Sequence, residues 1–179
     1  MTRRRRFLYG FGLALFAAYL LSADFLFLGL LRAPGEAPRV SIPLPPATHH
    51  IYSFIDELAS VKLSWKDALH LRGWVFREDV QRPERELFLV LQGQRPPRIF
   101  AVAENRIWRK DVSDFYHLEG DTHEHGFLLT FPTFGLSEPA YQIGFLLEDE
   151  AGRHFQLSDH WLVREKTEWI LTRRPSAQP

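Results

Sequence analysis

A long apolar run near the N-terminus constrains this chain more than any other feature. The run begins at Phe7 and ends at Leu31, and the only strongly polar members of its 25 residues are Ser22 and Asp24. A helix needs about 20 residues to cross a hydrocarbon core of about 30 Å. We therefore predict one transmembrane helix over residues 7–31, with the lipid bilayer as its first partner.

Basic residues are concentrated on one side of this predicted span. Four arginines, residues 3–6, precede it, and only Arg32 follows closely. Because cytoplasmic flanks carry the excess of Lys and Arg, we predict a cytoplasmic tail over residues 1–6 and a periplasmic or extracellular C-terminal domain. The expected location is the inner (plasma) membrane, with a single pass.

A cleaved signal peptide is the alternative, since it also begins with basic residues followed by an apolar stretch. The best cleavage site is Leu21, Ser22 and Ala23, but Leu stands where a small residue is preferred. Apolar sequence then resumes at Phe25. The pattern favours an uncleaved signal-anchor.

The predicted span also carries residues suited to contact with another helix. Small side chains recur every four residues, at Gly10, Ala14, Ala18 and Ser22, and such a row lets two helices approach closely. A chance row without a partner is the alternative. Asp24 would cost roughly 2.5–3.5 kcal/mol at the bilayer centre, so we expect it either to pair with a partner helix or to lie near the outer interface.

Proline dominates the segment after the span. Residues 33–48 contain five prolines and one glycine, a composition that favours extended, semi-rigid chain. We predict a linker over residues 32–48 that acts as a spacer and lifts the domain away from the lipid headgroups. The domain itself is predicted over residues 49–171, followed by a flexible tail over 172–179.

Apolar residues within the predicted domain recur with a period of two, which is typical of half-buried strands. Turn residues separate the runs. About seven strands are predicted, at 52–58, 69–75, 87–91, 98–103, 126–131, 140–147 and 154–157. This pattern predicts an all-β fold, an immunoglobulin-like antiparallel β-sandwich, with a closed barrel as the alternative. Short helical turns are expected at 57–60 and 112–117, the second capped by Asp111.

Several short motifs in this region resemble a recurrent bacterial β-sandwich module that occurs beside glycosyltransferases and in other envelope proteins. The resemblance covers about residues 52–157, and Lys110 stands where the module usually has proline. It implies the sandwich fold and no settled activity. The residues that carry it form a Gly-Trp strand, an Arg-x-Asp-Val step and a Gly-Phe strand: Gly73, Trp74, Arg109, Asp111, Val112, Gly126 and Phe127.

Each of these motifs has a structural interpretation. Gly73 permits a close approach or a bulge, and Trp74 is expected to fill the core. Arg109 and Asp111 are expected to tie down a crossing loop.

Composition excludes several kinds of chemistry. The chain has no cysteine, which removes disulfides, thiolate metal sites and cysteine nucleophiles. From residue 33 onward, 17 basic side chains stand against 21 acidic ones, so nucleic acid is not an expected partner. Neither a nucleophile-elbow motif nor a glycine-rich nucleotide loop occurs in the sequence. We expect a non-enzymatic domain without a cofactor.

Two binding sites are nevertheless conceivable from the residues. In the loop from His117 to His125, Asp121, His123 and His125 project to one side of an extended chain, so the two imidazoles could share a metal ion with Asp121 or His117 as a third ligand, although a solvated polar loop has the same composition. Trp65, Trp108 and Trp161 lie in polar surroundings, where exposed rings stack on sugars. The expected function is a membrane-anchored protein-interaction or structural module of the bacterial envelope. The alternatives are a carbohydrate-binding accessory domain, whose partner is an envelope polysaccharide, and a metal-binding domain.

The predicted topology can be tested with a reporter that is active only outside the cytoplasm. Fused after Pro179 the reporter should give signal, and fused before Arg3 it should give none, because the arginines hold the N-terminus inside. The reverse pattern would contradict the predicted orientation.

Overall fold

The computed structural model describes residues 36–48, 50–63, 66–77, 86–102, 106–118 and 124–173. Within these ranges the chain forms ten β-strands and one short helix. In chain order they are β1 (Arg39–Val40), β2 (Ile51–Leu63), β3 (Lys66–Arg77), β4 (Glu86–Gln92), β5 (Arg98–Ala101), β6 (Arg106–Ile107), α1 (Lys110–Tyr116), β7 (Gly126–Pro132), β8 (Ala140–Asp149), β9 (Gly152–Glu165) and β10 (Glu168–Thr172).

The described strands form two antiparallel sheets. The six-stranded sheet has the order β1-β5-β4-β8-β9-β10, and the four-stranded sheet has the order β2-β3-β7-β6. The prediction of an antiparallel, sandwich-like all-β domain is confirmed. The predicted helical turn at 112–117 corresponds to α1, but Asp111 does not cap it, because the helix begins at Lys110 with Arg109 at the N-cap position and Asp111 in the first turn. The one predicted at 57–60 is wrong, because these residues continue β2 in its pairing with β3.

Three of the ten strands are not predicted by the period-two pattern of the sequence. β1 and β6 contain two residues each, too few to show any period. β10 follows β9 after a turn of two residues and pairs with it over its whole length. Its five residues are all at least partly exposed, so burial does not impose a strict apolar alternation.

Side chains from both sheets meet in one apolar core. Leu69, Leu71 and Val75 point inward from β3 and are almost fully buried. They pack with inward residues of the opposite sheet, such as Phe145. Full burial of such side chains contributes about 1.5–3 kcal/mol each, which fixes the face that β3 turns inward.

Residues 36–48 form an N-terminal strap that packs along the sandwich. The strap begins on the four-stranded sheet, where the Ala37 backbone N–H donates to the carbonyl of Thr130 at 2.8 Å. It then pairs with β5 as strand β1. Farther on, the Thr48 N–H donates to the Phe155 carbonyl of β9 at 2.7 Å. The strap therefore contacts both sheets.

A second apolar cluster lies beneath this strap, on the outer face of the six-stranded sheet. The strap contributes Val40, Ile42 and Leu44, which pack against outward residues of four strands: Phe88, Val90, Ile99, Leu146 and Phe155. We predicted a spacer here, but the described residues instead run along the domain. Proline-rich chain has few backbone donors, and this part of the strap covers the sheet with side chains rather than with a complete ladder.

The predicted transmembrane span lies outside the described residues, as do Gly10, Ala14, Ala18, Ser22 and Asp24. In the described ranges no helix combines the length and apolar character needed to cross a membrane.

The contribution of the strap can be measured by polar substitution. Replacing Ile42 and Leu44 together by Ser should lower the free energy of unfolding by roughly 1 kcal/mol per site, because each side chain is half-buried and apolar burial is lost. Urea unfolding of the detergent-solubilised protein measures this. The control is Ser41→Ala, at an exposed position between β1 and Ile42. Equal stability of the double variant and the control would contradict the packing of the strap.

Candidate binding surface

The outer face of β2 and β3 carries a row of four aromatic rings, here called the aromatic ladder: Tyr52, Phe54, Trp74 and Phe76. The strand register sets Tyr52 directly opposite Phe76 and Phe54 directly opposite Trp74. These residues alternate with Ile51, Ile55 and Val75, which point into the core. The inward residues therefore force the aromatic ones outward.

The ladder rings are stacked nearly parallel to one another, with centroids 5.5–6.2 Å apart. Tyr52 and Phe76 have an interplanar angle of 18° with centroids 5.5 Å apart. The angle is 23° between Phe76 and Trp74, and 20° between Trp74 and Phe54. Such pairs stabilise a sheet by about 0.5–1.5 kcal/mol each beyond their burial. The four rings therefore pack together as one aromatic row on this face.

Helix α1 lies against this ladder. The ring of Tyr116 meets Trp74 edge-on at 5.4 Å and Phe76 at 5.0 Å. Val112 and Ser113 are the buried residues of the helix. The helix ends at His117, which adopts the left-handed conformation with φ of 53°. Tyr116 thus joins the helix to the ladder, and both form one aromatic surface.

An ion-pair cluster connects the start of α1 to β2. The Arg109 guanidinium donates to Asp111 at 2.8 Å and to Asp56 of β2 at 2.6 Å. The stem of Arg109 crosses Gly126, where an added Cβ would lie 2.7 Å from its Cγ. The hydrogen bond from Arg109 lowers the pKa of Asp111 below its usual range. Hydrogen bonds to the same carboxylates raise the pKa of Arg109.

Two further side chains border the ladder at Phe54. The Arg173 guanidinium lies 5.1 Å from the Phe54 ring centroid, a cation–π contact. The buried His160 ring meets Phe54 edge-on at 5.5 Å. Burial lowers the pKa of His160, which disfavours the charged form of the ring. One end of the ladder is therefore covered, and the Tyr52 end is more open.

Exposure identifies the accessible part of this surface. Tyr52 is 39% exposed and Tyr116 is 36% exposed, and on the same helix Phe115 is 76% exposed. The strap covers an apolar cluster on the outer face of the other sheet. The Tyr52, Phe115 and Tyr116 rings therefore form an accessible apolar patch on the outer face that the strap leaves open.

The structure corrects the expected role of Trp74. This side chain is half-buried on the outer face rather than filling the core. The core position is occupied by Phe127, which is fully buried opposite Gly73. A Cβ at Gly73 would clash with the Phe54 carbonyl oxygen and lie 3.0 Å from the Phe127 ring. The glycine therefore allows β2 to approach closely beside the irregularity between Ile55 and Glu57.

Only one residue of the predicted metal site is described. Asp121 and His123 lie outside the described residues, so this site stays a prediction. The carbonyl of His125 accepts a hydrogen bond from the Val75 N–H at 2.8 Å. The His125 ring meets Phe76 at 5.5 Å, and it thus belongs to the margin of the aromatic surface.

The tryptophans proposed for sugar stacking are separated along the fold. Trp108 follows β6 and is 61% exposed, Trp161 is half-buried in β9, and Trp65 lies outside the described residues. A fourth, Trp169, packs partly against the core near Tyr141.

Sequence reasoning did not single out Tyr52, Phe76, Phe115 or Tyr116 as site residues. One signal was present, since Tyr52 and Phe54 are two residues apart, as are Trp74 and Phe76. That spacing puts each pair on one face of a strand. Comparison of the chain with known protein families, curated proteins and solved structures yields no match.

The Arg109 cluster predicts a dependence of stability on pH. Because the pKa of Asp111 is lowered in the folded state, its contribution is present above the ordinary carboxyl pKa of about 3.9 and is lost as the pH falls through the lowered value. Asp111→Asn should therefore lower the thermal midpoint at neutral pH, and its difference from wild type should shrink below about pH 4. Asp114→Asn is the control, since Asp114 pairs with exposed Lys110 on the same helix. A difference for Asp111→Asn that is constant with pH would contradict the assignment.

Proposed function

We propose that the chain is a non-enzymatic, membrane-anchored module of the cell envelope that binds a partner protein outside the cytoplasm through the aromatic surface. The observation that carries this proposal is the stacked ladder with Tyr116 and Phe115 beside it. An apolar face rimmed by polar groups is typical of an interaction site. Aromatic side chains are also enriched among the residues that dominate binding energy.

The order of the strands supports an immunoglobulin-like architecture for the domain. The order β2-β3-β7-β6 corresponds to strands A, B, E and D of such sandwiches. The order β5-β4-β8-β9 corresponds to C′, C, F and G. Domains of this architecture serve many binding roles, so the role of this one depends on the surface that it presents.

The burial of the ladder favours a protein partner over a carbohydrate. A sugar ring stacks on an exposed aromatic face, but Phe54 and Trp74 are half-buried and Phe76 is buried. The exposed area belongs mainly to Tyr52, Phe115 and Tyr116, and an apolar side chain that contacts these rings removes apolar surface from water. We therefore place an apolar or aromatic segment of a protein against Tyr52, Phe115 and Tyr116.

Carbohydrate binding is the second candidate because of two exposed rings. Trp108 is 61% exposed and Phe115 is 76% exposed, so each has area available to a sugar. Exposed carboxylates of Asp111 and Asp114 lie on the same helix as Phe115 and would accept hydrogen bonds from sugar hydroxyls. In this case the ligand would be an envelope polysaccharide.

Site-specific photo-crosslinking tests the proposed function. A benzophenone amino acid placed at Tyr52 or at Phe115 in the membrane-bound protein should form an adduct of defined mass with a protein. The same amino acid at Ser41 should not, since Ser41 is exposed on the part of the strap that covers the other sheet. Trp74→Ala should weaken the adduct by removing the centre of the ladder.

The same set of proteins separates the alternatives. Equal adducts from all three positions would contradict a role for the aromatic surface. Saturable binding of an envelope polysaccharide that is lost in Trp108→Ala, without any protein adduct, would favour the carbohydrate function.

A further inference from the structure

Strand β10 forms the outer edge of the six-stranded sheet. It pairs with β9 on one side and with no described strand on the other. The pairing with β9 runs without a break from Glu168 to Thr172, and all five residues of β10 are at least partly exposed. Within the described part of the chain, β10 therefore has one free edge.

The hydrogen bonds of β9 show which backbone groups of β10 point to this free edge. The Arg164 N–H donates to the Pro139 carbonyl, on the side of β9 that faces β8. Because backbone groups alternate in direction along an antiparallel strand, the next residue of β9, Val163, exchanges its hydrogen bonds with Ile170 of β10. The N–H and C=O groups that point away from β9 are those of the residues on either side of Ile170, namely Trp169 and Leu171.

The sequence of β10 lacks the features that usually protect an edge strand. Natural edges are often kept from pairing by proline, lysine, a bulge, or a very short length. Strands β1 and β6 have two residues each, and β2 is irregular between Ile55 and Glu57. In contrast, β10 contains neither proline nor lysine, and its register is unbroken. Among the described edges, β10 is the one best suited to pair with a further strand.

The residues of β10 are complementary to a second copy of the same strand. A two-fold axis at Ile170 sets this residue opposite its own copy and Trp169 opposite Leu171. The backbone groups of Trp169 and Leu171 then meet, and each such pair exchanges both of its hydrogen bonds. Glu168 lies opposite Thr172, so no like charges face each other along β10.

The side chains of this edge also suit a second copy. Trp169 and Leu171 pack against the core of their own domain, so Ile170 lies on the outer face of the sheet, beside Val163 of β9. Both Ile170 and Val163 are half-buried. In the symmetric pair, these residues from both copies form one apolar row, and their contact removes further apolar area from water.

We propose that this protein forms a two-fold symmetric dimer in which the β10 edges of two copies pair as antiparallel strands. The occupant of the free edge is thus a second copy of the chain, in an isologous contact. The interface is small, so the dimer should be weak and should depend on protein concentration. This inference goes beyond the proposed function and does not depend on what binds the aromatic ladder.

Cysteine crosslinking tests this dimer directly, because the chain has no cysteine of its own. In the proposed register Ile170 and its copy form a non-hydrogen-bonded pair with Cα atoms about 4.5 Å apart, a separation that a disulfide can bridge. The full-length Ile170→Cys protein, solubilised in detergent, is oxidised mildly. Val163→Cys is the matched control, since Val163 is half-buried on the same face, one strand farther from the edge.

We expect a disulfide-linked dimer for Ile170→Cys and little for Val163→Cys. Absence of the dimer at position 170 would overturn the proposal. Equal amounts at both positions would also overturn it, because contact through another part of the chain does not favour the β10 edge over β9.

A pair of substitutions at Leu171 tests the register in the Ile170→Cys protein. Leu171→Pro removes an N–H that points to the second copy and does not bond to β9. Leu171→Ala loses the same side-chain packing but keeps this N–H. The disulfide-linked dimer should persist with alanine and be lost with proline, and equal crosslinking in both would contradict the proposed strand pairing. If the thermal midpoint shows that the proline variant is unfolded, the comparison of positions 170 and 163 still decides the proposal.

Discussion

The register between β2 and β3 is the constraint on which the rest of the domain depends. Because side chains alternate across a strand, a slip of β3 by one residue would exchange its core face for its outer face. Leu71 and Val75 would then meet solvent, and Trp74 would enter the core. Gly73 supports the observed register, since only a residue without a Cβ lets the Phe54 carbonyl approach at this point. The same register sets Tyr52 opposite Phe76 and so builds the aromatic ladder.

The apolar side chains on the two outer faces of the sandwich are removed from water in different ways. On the six-stranded sheet, the strap buries Phe88, Val90 and Leu146 beneath its own side chains. On the four-stranded sheet, the rings bury much of their area against one another and against Tyr116. The side chains of Tyr52 and Phe115 remain exposed. The difference explains why only one of the two faces is a candidate for recognition.

Electrostatic and packing contacts fix α1 beside the aromatic ladder. A seven-residue helix is too short to be stable alone in water. Its position depends on buried Val112, on the contact of Tyr116 with the ladder, and on the hydrogen bonds of Arg109 with Asp56 and Asp111. Arg109 reaches Asp56 because Gly126 leaves room for its stem. Gly73 and Gly126 thus both shape the site, although neither belongs to the aromatic surface.

The sequence by itself determined the all-β class, the places of most longer strands and the position of α1. Period-two alternation and turn residues involve only neighbouring residues, so they can be recognised directly in the sequence. It also predicts the membrane span, since a bilayer selects on length and hydropathy alone. Only the tertiary structure decided the role of Trp74, because β3 carries apolar residues on both faces and alternation alone does not say which face turns inward. The tertiary structure also decided the role of the strap. The composition of residues 36–48 indicates an extended chain, but whether such a chain is a spacer or covers a sheet depends on whether it packs against an apolar face. The contacts of the ladder with Tyr116 join residues from two strands and a helix. Such contacts depend on strand register and packing, which no single segment of the sequence encodes.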